Sequence, residues 1–362
     1  MSLPAIPVNP LSNPKGTKSL CELCQQTATL QCPQCRVTFY CGDKHHALDW
    51  EGIHCKICPL LAPFRALSLS QPVGRTAQDR AAQERTDRLR EIVELTLEEG
   101  RTLLFGGKHN LAVPAALQCL KFSKELYGTR GLDLVQPFLV LAEASIGLSR
   151  LGHAEEYLSQ AKFSLIQPDK AKRTSQSELD LMKSKLNRIY GLLYLAQNQT
   201  HKARNAFAND IYLSSIANGT THRLVAGGYF YLGNSFLKEG KSLVALPFHQ
   251  LVIKIWIDFF VENITICQQD INAKEGISEK IEFGPSVQAE SSETLKALLQ
   301  HHSKRAYHFG DGALKQLLAS LSMLYFLFRD SESAKKYAED ALQCDTMEYR
   351  DLDQILNSLA NK

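Results

Sequence analysis

The stretch CELCQQTATLQCPQCRVTFYCGDKHHALDWEGIHC, from Cys21 to Cys55, decides how the chain begins to fold. Seven of the ten cysteines of this 362-residue chain lie between residues 21 and 58. The first twenty residues contain four prolines and no apolar core of the kind found in secretory signals, so we expect a reducing compartment. There, two Cys-x-x-Cys pairs followed by further Cys and His residues indicate metal ligands rather than disulfides.

Zinc is the metal that this pattern predicts, because four thiolate or imidazole ligands satisfy its tetrahedral preference. Cys21-x-x-Cys24 and Cys32-x-x-Cys35 each supply half of a site. The ligands that could complete two sites are Cys41, His45, His46, His54, Cys55 and Cys58. The sequence therefore predicts two structural Zn²⁺ ions, in a module with too few apolar residues to fold without them.

The order Cys-x2-Cys, Cys-x2-Cys, Tyr-Cys, Trp and a final His-x3-Cys, over residues 21–58, resembles the MYND zinc finger. In that family the two sites are interleaved, and the resemblance assigns one zinc to Cys21, Cys24, Cys41 and His45. It assigns the other zinc to Cys32, Cys35, His54 and Cys58. The family usually has cysteine in place of His45, so His46 is an alternative ligand there, and Cys55 is interpreted as a spare thiol.

Sites closed by four protein ligands leave zinc no open position, so metal-assisted hydrolysis is not expected. The finger carries three basic and four acidic residues, and this balance disfavours nucleic acid as a partner. The resemblance implies instead a protein-docking module that receives extended Pro-containing segments by strand addition. Trp50 is the candidate contact, with packing inside the module as the alternative.

From Thr76 onward the sequence predicts successive helices, beginning with a capping signal and an apolar stripe. The stretches YFYLGNSFLKEGKSLVA and IYGLLYLAQNQTHKARNAF resemble the tetratricopeptide repeat, with small residues where two helices cross. The alanines expected on the second helix of each unit are Ala112, Ala154, Ala203, Ala245 and Ala334. This resemblance implies an α-solenoid of about five or six longer-than-usual units, with a concave groove for peptide or helical segments.

The predicted fold class is thus mostly α, a small two-zinc finger followed by a tetratricopeptide-type solenoid. The predicted divisions are a disordered arm at 1–20, the finger at 21–58, a linker at 59–75, and a helical domain at 76–362 with a polar insertion near 268–293. The most apolar run, 251–261, carries two charges and is too short to cross a bilayer, so no membrane partner is expected.

No catalytic constellation is found, so the sequence predicts a non-enzymatic adaptor or scaffold rather than an enzyme. Lysine methyltransferases with a MYND finger are the least favoured class, because too few residues flank the finger for their catalytic domain. The alternatives are a chaperone-linked adaptor and a transcriptional co-repressor, and the latter lacks a compact basic targeting run. Some MYND-finger proteins are associated with cilia and flagella, which gives a cytoplasmic, ciliary or flagellar location as an expectation.

Overall fold

The structure is a computed structural model, and it describes residues 4–9, 18–69, 75–166, 174–273, 283–303, 311–344 and 355–357. The chain divides into two compact units, residues 1–173 and 174–362. Most of the described residues are helical, which confirms the predicted fold class. The boundary between the units falls inside the predicted helical domain, so the finger and the helices that follow it belong to one unit.

The first unit begins with short elements around the cysteine cluster. They are β1 (Ile6–Pro7), β2 (Leu30–Gln31), β3 (Phe39–Tyr40), α1 (Asp43–Asp49), a π-helical turn (Trp50–His54) and α2 (Cys55–Leu69). The strands form one antiparallel sheet with β2 in the centre. The prediction of a disordered arm over residues 1–20 is therefore wrong for the described residues 4–9, which form the edge of this sheet; residues 10–17 lie outside the described ranges.

Beyond these elements, the described residues of both units form mainly long helices. They are α3 (Arg75–Phe105), α4 (His109–Tyr127), α5 (Val135–Gly147, after a 3₁₀ turn at Leu132–Leu134), α6 (Leu151–Ile166), α7 (Gln176–Ala196), α8 (Thr200–Asn218), α9 (Arg223–Lys238), α10 (Ser242–Ala273), α11 (Pro285–Ser303), α12 (Asp311–Leu327) and α13 (Ser331–Leu342). The most extensive packing joins α3 with α4, α5 with α6, α7 with α8, α9 with α10, and α12 with α13. Packing between sequence neighbours is consistent with a helical solenoid.

The small residues that predicted the repeat lie where paired helices meet. All five predicted alanines are buried, and each lies on the second helix of a pair. Gly191 on α7 faces Phe207 of α8, whose ring would lie 2.3 Å from an added Cβ. Gly233 on α9 faces His249 of α10 at 2.4 Å in the same way. These contacts explain the glycines, since any side chain there would force the paired helices apart.

The finger shares its apolar core with the helices that follow. The buried residues of the finger and α2 in this core are the ligands Cys32, Cys35 and Cys58 together with Tyr40, Ile53, Ile57 and Leu61. The helices contribute Leu89, Ile92, Ala115 and Phe122. The predicted linker at 59–75 is therefore helical as far as Leu69. Burial of Leu61 and its apolar neighbours in this core stabilises the helix, whereas an exposed linker would leave these side chains in water. Residues 70–74 lie outside the described ranges.

The predicted polar insertion near 268–293 is also helical at both ends. Residues 268–273 continue α10, and residues from Pro285 onward form α11. Phe283, Leu295 and Leu298 are buried in the core of the second unit, which fixes this segment despite its polar composition. Ser291 donates its hydroxyl to the Val287 carbonyl at 2.8 Å, so a buried polar side chain is satisfied inside the helix. Residues 274–282 lie outside the described ranges.

Helix α10 corrects the expectation that no segment is long enough to span a membrane. Residues 242–266 are long and apolar enough by length and composition, as found nowhere else in the described ranges. The same helix places Trp256 and Phe260 in the core of the second unit, each at most 1% exposed. The core helix of a soluble protein passes the same test, and the burial of these rings explains the apolar composition.

Candidate metal centre

The two Cys-x-x-Cys pairs form matching turns. In the first, the Gln25 N–H donates to the Cys21 carbonyl at 3.0 Å. In the second, the Arg36 N–H donates to the Cys32 carbonyl at 3.1 Å. Gln25 and Arg36 have φ angles of 59° and 56°, the left-handed region that lets each turn close directly after its second cysteine. Each turn therefore presents two sulfurs on one side.

The remaining donors come from the sheet and the first helices. Cys41 follows β3, and His45 lies in the first turn of α1. His54 ends the π-helical turn and Cys58 lies one α-helical turn later, so both point to the same side. π-helical turns are rare and occur often at functional sites, and here the wider turn sets the position of His54. The β2–β3 hairpin connects ligands of the two sets, which produces the interleaved arrangement.

The structure brings the eight predicted residues together in two groups of four. One group is Cys21, Cys24, Cys41 and His45, and the other is Cys32, Cys35, His54 and Cys58. Within each group the ligand atoms all lie within 4.8 Å of one another. The second group is fully buried, whereas the first is largely half-buried. Cys55 is exposed and belongs to neither group, as predicted for a spare thiol.

The distances within the groups match a tetrahedron around zinc. Zn–S bonds of about 2.3 Å place two ligand sulfurs roughly 3.8 Å apart. The Cys24 and Cys41 sulfurs are 3.6 Å apart, and the Cys32 and Cys58 sulfurs are 3.8 Å apart. His45 Nδ1 lies 3.2 Å from the Cys41 sulfur. Such separations are far longer than a disulfide bond, so the two groups are consistent with two structural zinc ions.

Repulsion between the closely packed sulfurs favours a cation at the centre of each group. The Cys35 thiol lowers the pKa of Cys32 to about 3, while the same contact and burial raise the pKa of Cys35. Partial burial and the Cys24 thiol raise the pKa of Cys41 to about 11. Packed sulfurs resist joint ionisation because thiolates repel each other. A divalent cation supplies the missing positive charge, so the donor sets fit zinc.

A buried carboxylate supports the second group from behind. Tyr40 donates its hydroxyl to Asp49 Oδ2 at 2.7 Å, and the same oxygen faces His54 Nδ1 at 3.8 Å. His54 presents its other ring nitrogen, Nε2, to the Cys35 sulfur. Burial raises the pKa of Asp49 to about 6. At 3.8 Å this contact is an ion pair and not a hydrogen bond, so Asp49 places a negative charge beside the far nitrogen of the histidine without bonding to it directly.

We expect Asp49→Asn to weaken zinc binding by the second group by about 10-fold, the lower end of the range for outer-shell partners, because Asp49 acts on His54 through its charge and not through a hydrogen bond. The amide keeps the volume but removes the charge that faces His54. Zinc release to a chromophoric chelator, followed at increasing chelator concentration, measures the change. Asp43→Asn is the matched control, since Asp43 is an exposed carboxylate on the same helix. Equal zinc release from both variants would contradict a supporting role for Asp49.

The alternative ligand His46 lies outside both groups. It is buried against Tyr40, with ring centroids 5.0 Å apart, so it serves the core of the finger. Trp50 is half-buried and packs against the rings of His46 and His54, with ring centroids 6.1 and 5.7 Å from its own. Packing inside the module therefore accounts for much of the Trp50 side chain, and the remainder is accessible to a partner.

The segment that carries the two ligand groups is similar to a known zinc module. Residues 21–58 match the MYND finger family model. The match begins and ends at the outermost ligands of the two groups, Cys21 and Cys58. MYND fingers are zinc fingers that mediate protein–protein interactions. The match covers the finger and ends before α3, so the tetratricopeptide assignment of the body rests on the repeat itself.

Contacts between the finger and α3 and α4 were not predicted from the sequence. Glu22, inside the first Cys-x-x-Cys turn, pairs with Lys121 at 2.8 Å and accepts a hydrogen bond from Gln118 at 3.3 Å. A Cβ on Gly52 would lie 2.7 Å from the Leu111 carbonyl oxygen, so the π-helical turn packs directly against the α4 backbone. The sequence signal for this contact is Gly52, because the spacing of the zinc ligands does not itself require a glycine there.

Proposed function

We propose that this protein is a non-enzymatic adaptor that binds other proteins through a zinc-stabilised MYND finger and a tetratricopeptide-type helical body. The observation that supports it is the closure of both zinc sites by four protein ligands each, which leaves the metal a structural role. The ligands are Cys21, Cys24, Cys41 and His45 for one ion, and Cys32, Cys35, His54 and Cys58 for the other. A finger held in this way offers a rigid surface rather than a reactive centre.

The proposed partners are proteins, with extended Pro-containing segments at the finger and peptide or helical segments at the body. A chaperone-linked adaptor would need basic side chains free to hold a carboxylate. Four basic residues of α7–α10 and their connections are instead engaged within the chain, namely Arg188, Arg204, Lys238 and Lys241. These four side chains are therefore not available to a carboxylate clamp, and a general scaffold stays the first proposal. The resemblance to ciliary MYND-finger proteins suggests the cytoplasm, and cilium or flagellum assembly, as the setting.

Affinity purification from ciliated cells, with quantitative mass spectrometry, tests this function. We expect a defined set of proteins to co-purify with the wild-type chain and to fall to background with Cys32→Ala, which removes a ligand of the buried zinc group. Cys55→Ala is the matched control, because Cys55 lies in the same module but is exposed and outside both groups. Methyl-transfer activity in the purified chain, with no zinc-dependent partner, would contradict the proposal.

A further inference from the structure

The edge of the finger sheet is covered by a segment of the chain itself. Strand β1 pairs antiparallel with β2, with Ile6 opposite Gln31 and Pro7 opposite Leu30. On its other side β2 pairs with β3, so β1 is the outer strand. Without β1, the free edge of β2 would present unpaired N–H and C=O groups, which is the template for adding an extended peptide.

The proline of β1 lies where the sheet tolerates it. The Val8 N–H donates to the Thr29 carbonyl at 2.9 Å, while the Thr29 N–H donates to the Tyr40 carbonyl, so a single hydrogen bond directs the Val8 N–H toward the β2 side. Hydrogen-bonded and non-hydrogen-bonded pairs alternate along an antiparallel ladder, so Pro7 falls at a position that needs no donor. Prolines of edge strands occupy such positions. The edge of β2 therefore tolerates a proline between two residues that keep their N–H groups, as in Ile6-Pro7-Val8.

The contact that holds β1 is small. The strand is two residues long, and none of the residues from Pro4 to Asn9 is buried. Pro4, Pro7 and Asn9 are exposed, and the residues between them are half-buried. A short strand with little apolar burial belongs to the least stable part of a structure and opens at low cost in free energy. None of the eight predicted metal ligands lies in β1.

We propose that β1 is an exchangeable strand: residues 4–9 cover, in the same chain, the edge of β2 to which an extended apolar-Pro-apolar segment of a partner protein adds. This rests on the proposed function, in which the finger docks such segments, and adds a competitor for that surface. A partner must displace the arm, so the affinity of the finger for its ligand is lower in the intact chain than in a chain without the arm.

A fluorescent peptide of residues 1–10 tests the exchange directly. Its binding is measured by polarisation on the zinc-loaded intact chain and on the chain lacking residues 1–9. We expect the shortened chain to bind at least about ten-fold more tightly, since the arm is present at high effective concentration on its own edge. The full-length Val8→Pro chain, which loses the donor to Thr29, should bind the peptide more tightly than the intact chain and approach the shortened chain.

Peptide variants supply the matched control. A Val8→Pro peptide should bind about ten-fold more weakly, because proline lacks the N–H that the ladder needs, whereas a Pro7→Ala peptide should bind like the original. Equal binding to intact and shortened chains, or no binding to the shortened chain, would overturn the exchange. A dimer of the intact chain that disappears with the deletion would also overturn it, since the arm would then lie on a second copy. The zinc-dependent co-purification above does not use this peptide. The adaptor function and the exchange of β1 can therefore fail independently.

Discussion

Replacing Cys32 with alanine should leave the chain with one zinc ion and greatly destabilise its first unit. Cys32 is buried and is a member of the buried group that includes His54. Three remaining ligands cannot close a structural site, and structural zinc contributes about 10–16 kcal/mol of apparent binding free energy that is coupled to folding. The loss should extend to α3 and α4, because Leu89 and Phe122 share their core with the finger.

Hydrogen exchange measured by mass spectrometry resolves this expected loss along the chain. In Cys32→Ala, amides of α1 and of the β2–β3 hairpin should exchange much faster than in the wild type. Protection should also fall in α3 and α4, whereas α7–α13 belong to the other unit and should keep theirs. Cys55→Ala should exchange like the wild type, since its side chain is exposed and outside both groups. Unchanged protection in Cys32→Ala would contradict a structural role for the metal.

The second large effect is expected from Asp210→Ala in the second unit. Asp210 on α8 is fully buried and accepts hydrogen bonds from Arg188 Nε at 2.7 Å and Nη2 at 3.3 Å. The same guanidinium donates to the Leu224 carbonyl of α9 and lies 3.9 Å from Glu290 of α11. Without Asp210 the guanidinium keeps the more distant Glu290 in place of a two-bond carboxylate partner, and breaking such a buried pair costs about 3–5 kcal/mol. We therefore expect a large fall in the stability of the unit.

Denaturant unfolding followed by tryptophan fluorescence measures this loss. The chain has two tryptophans, Trp50 in the first unit and the buried Trp256 in the second, so a Trp50→Phe background reports on the second unit alone. Arg204→Ala is the control, because Arg204 pairs with Glu239 at a similar distance of 2.6 Å but at the surface. Surface pairs contribute little to stability, so its effect should be far smaller. Similar losses for both variants would contradict the role of burial.

The metal groups were predictable because ligand chemistry and turn geometry act over short spans of sequence. Each Cys-x-x-Cys turn needs only five residues to close, and the choice of His45 over His46 followed from the family pattern. The repeat was predictable for the same reason, since Ala203 and Gly191 mark helix crossings that any paired arrangement requires. These features depend on what neighbouring residues can do.

The remaining features depend on contacts between distant segments. Phe283 lies in a polar stretch that reads as a loop, and only its burial in the second core shows why α11 forms. Glu22 pairs with Lys121, almost a hundred residues away, and no local sequence pattern predicts this contact. The sequence around Ile6 predicts a disordered arm, because nothing in it indicates the pairing with Gln31 of β2. Composition predicts such segments poorly wherever tertiary contacts decide.

The most direct test of two structural zinc ions is the mass of the folded chain. Native mass spectrometry of protein purified without added metal should give the mass of the 362-residue chain plus two zinc ions. The same sample sprayed after acid unfolding should give the bare chain. A folded chain that carries no zinc, or that carries one ion with both cysteine groups intact, would contradict the account.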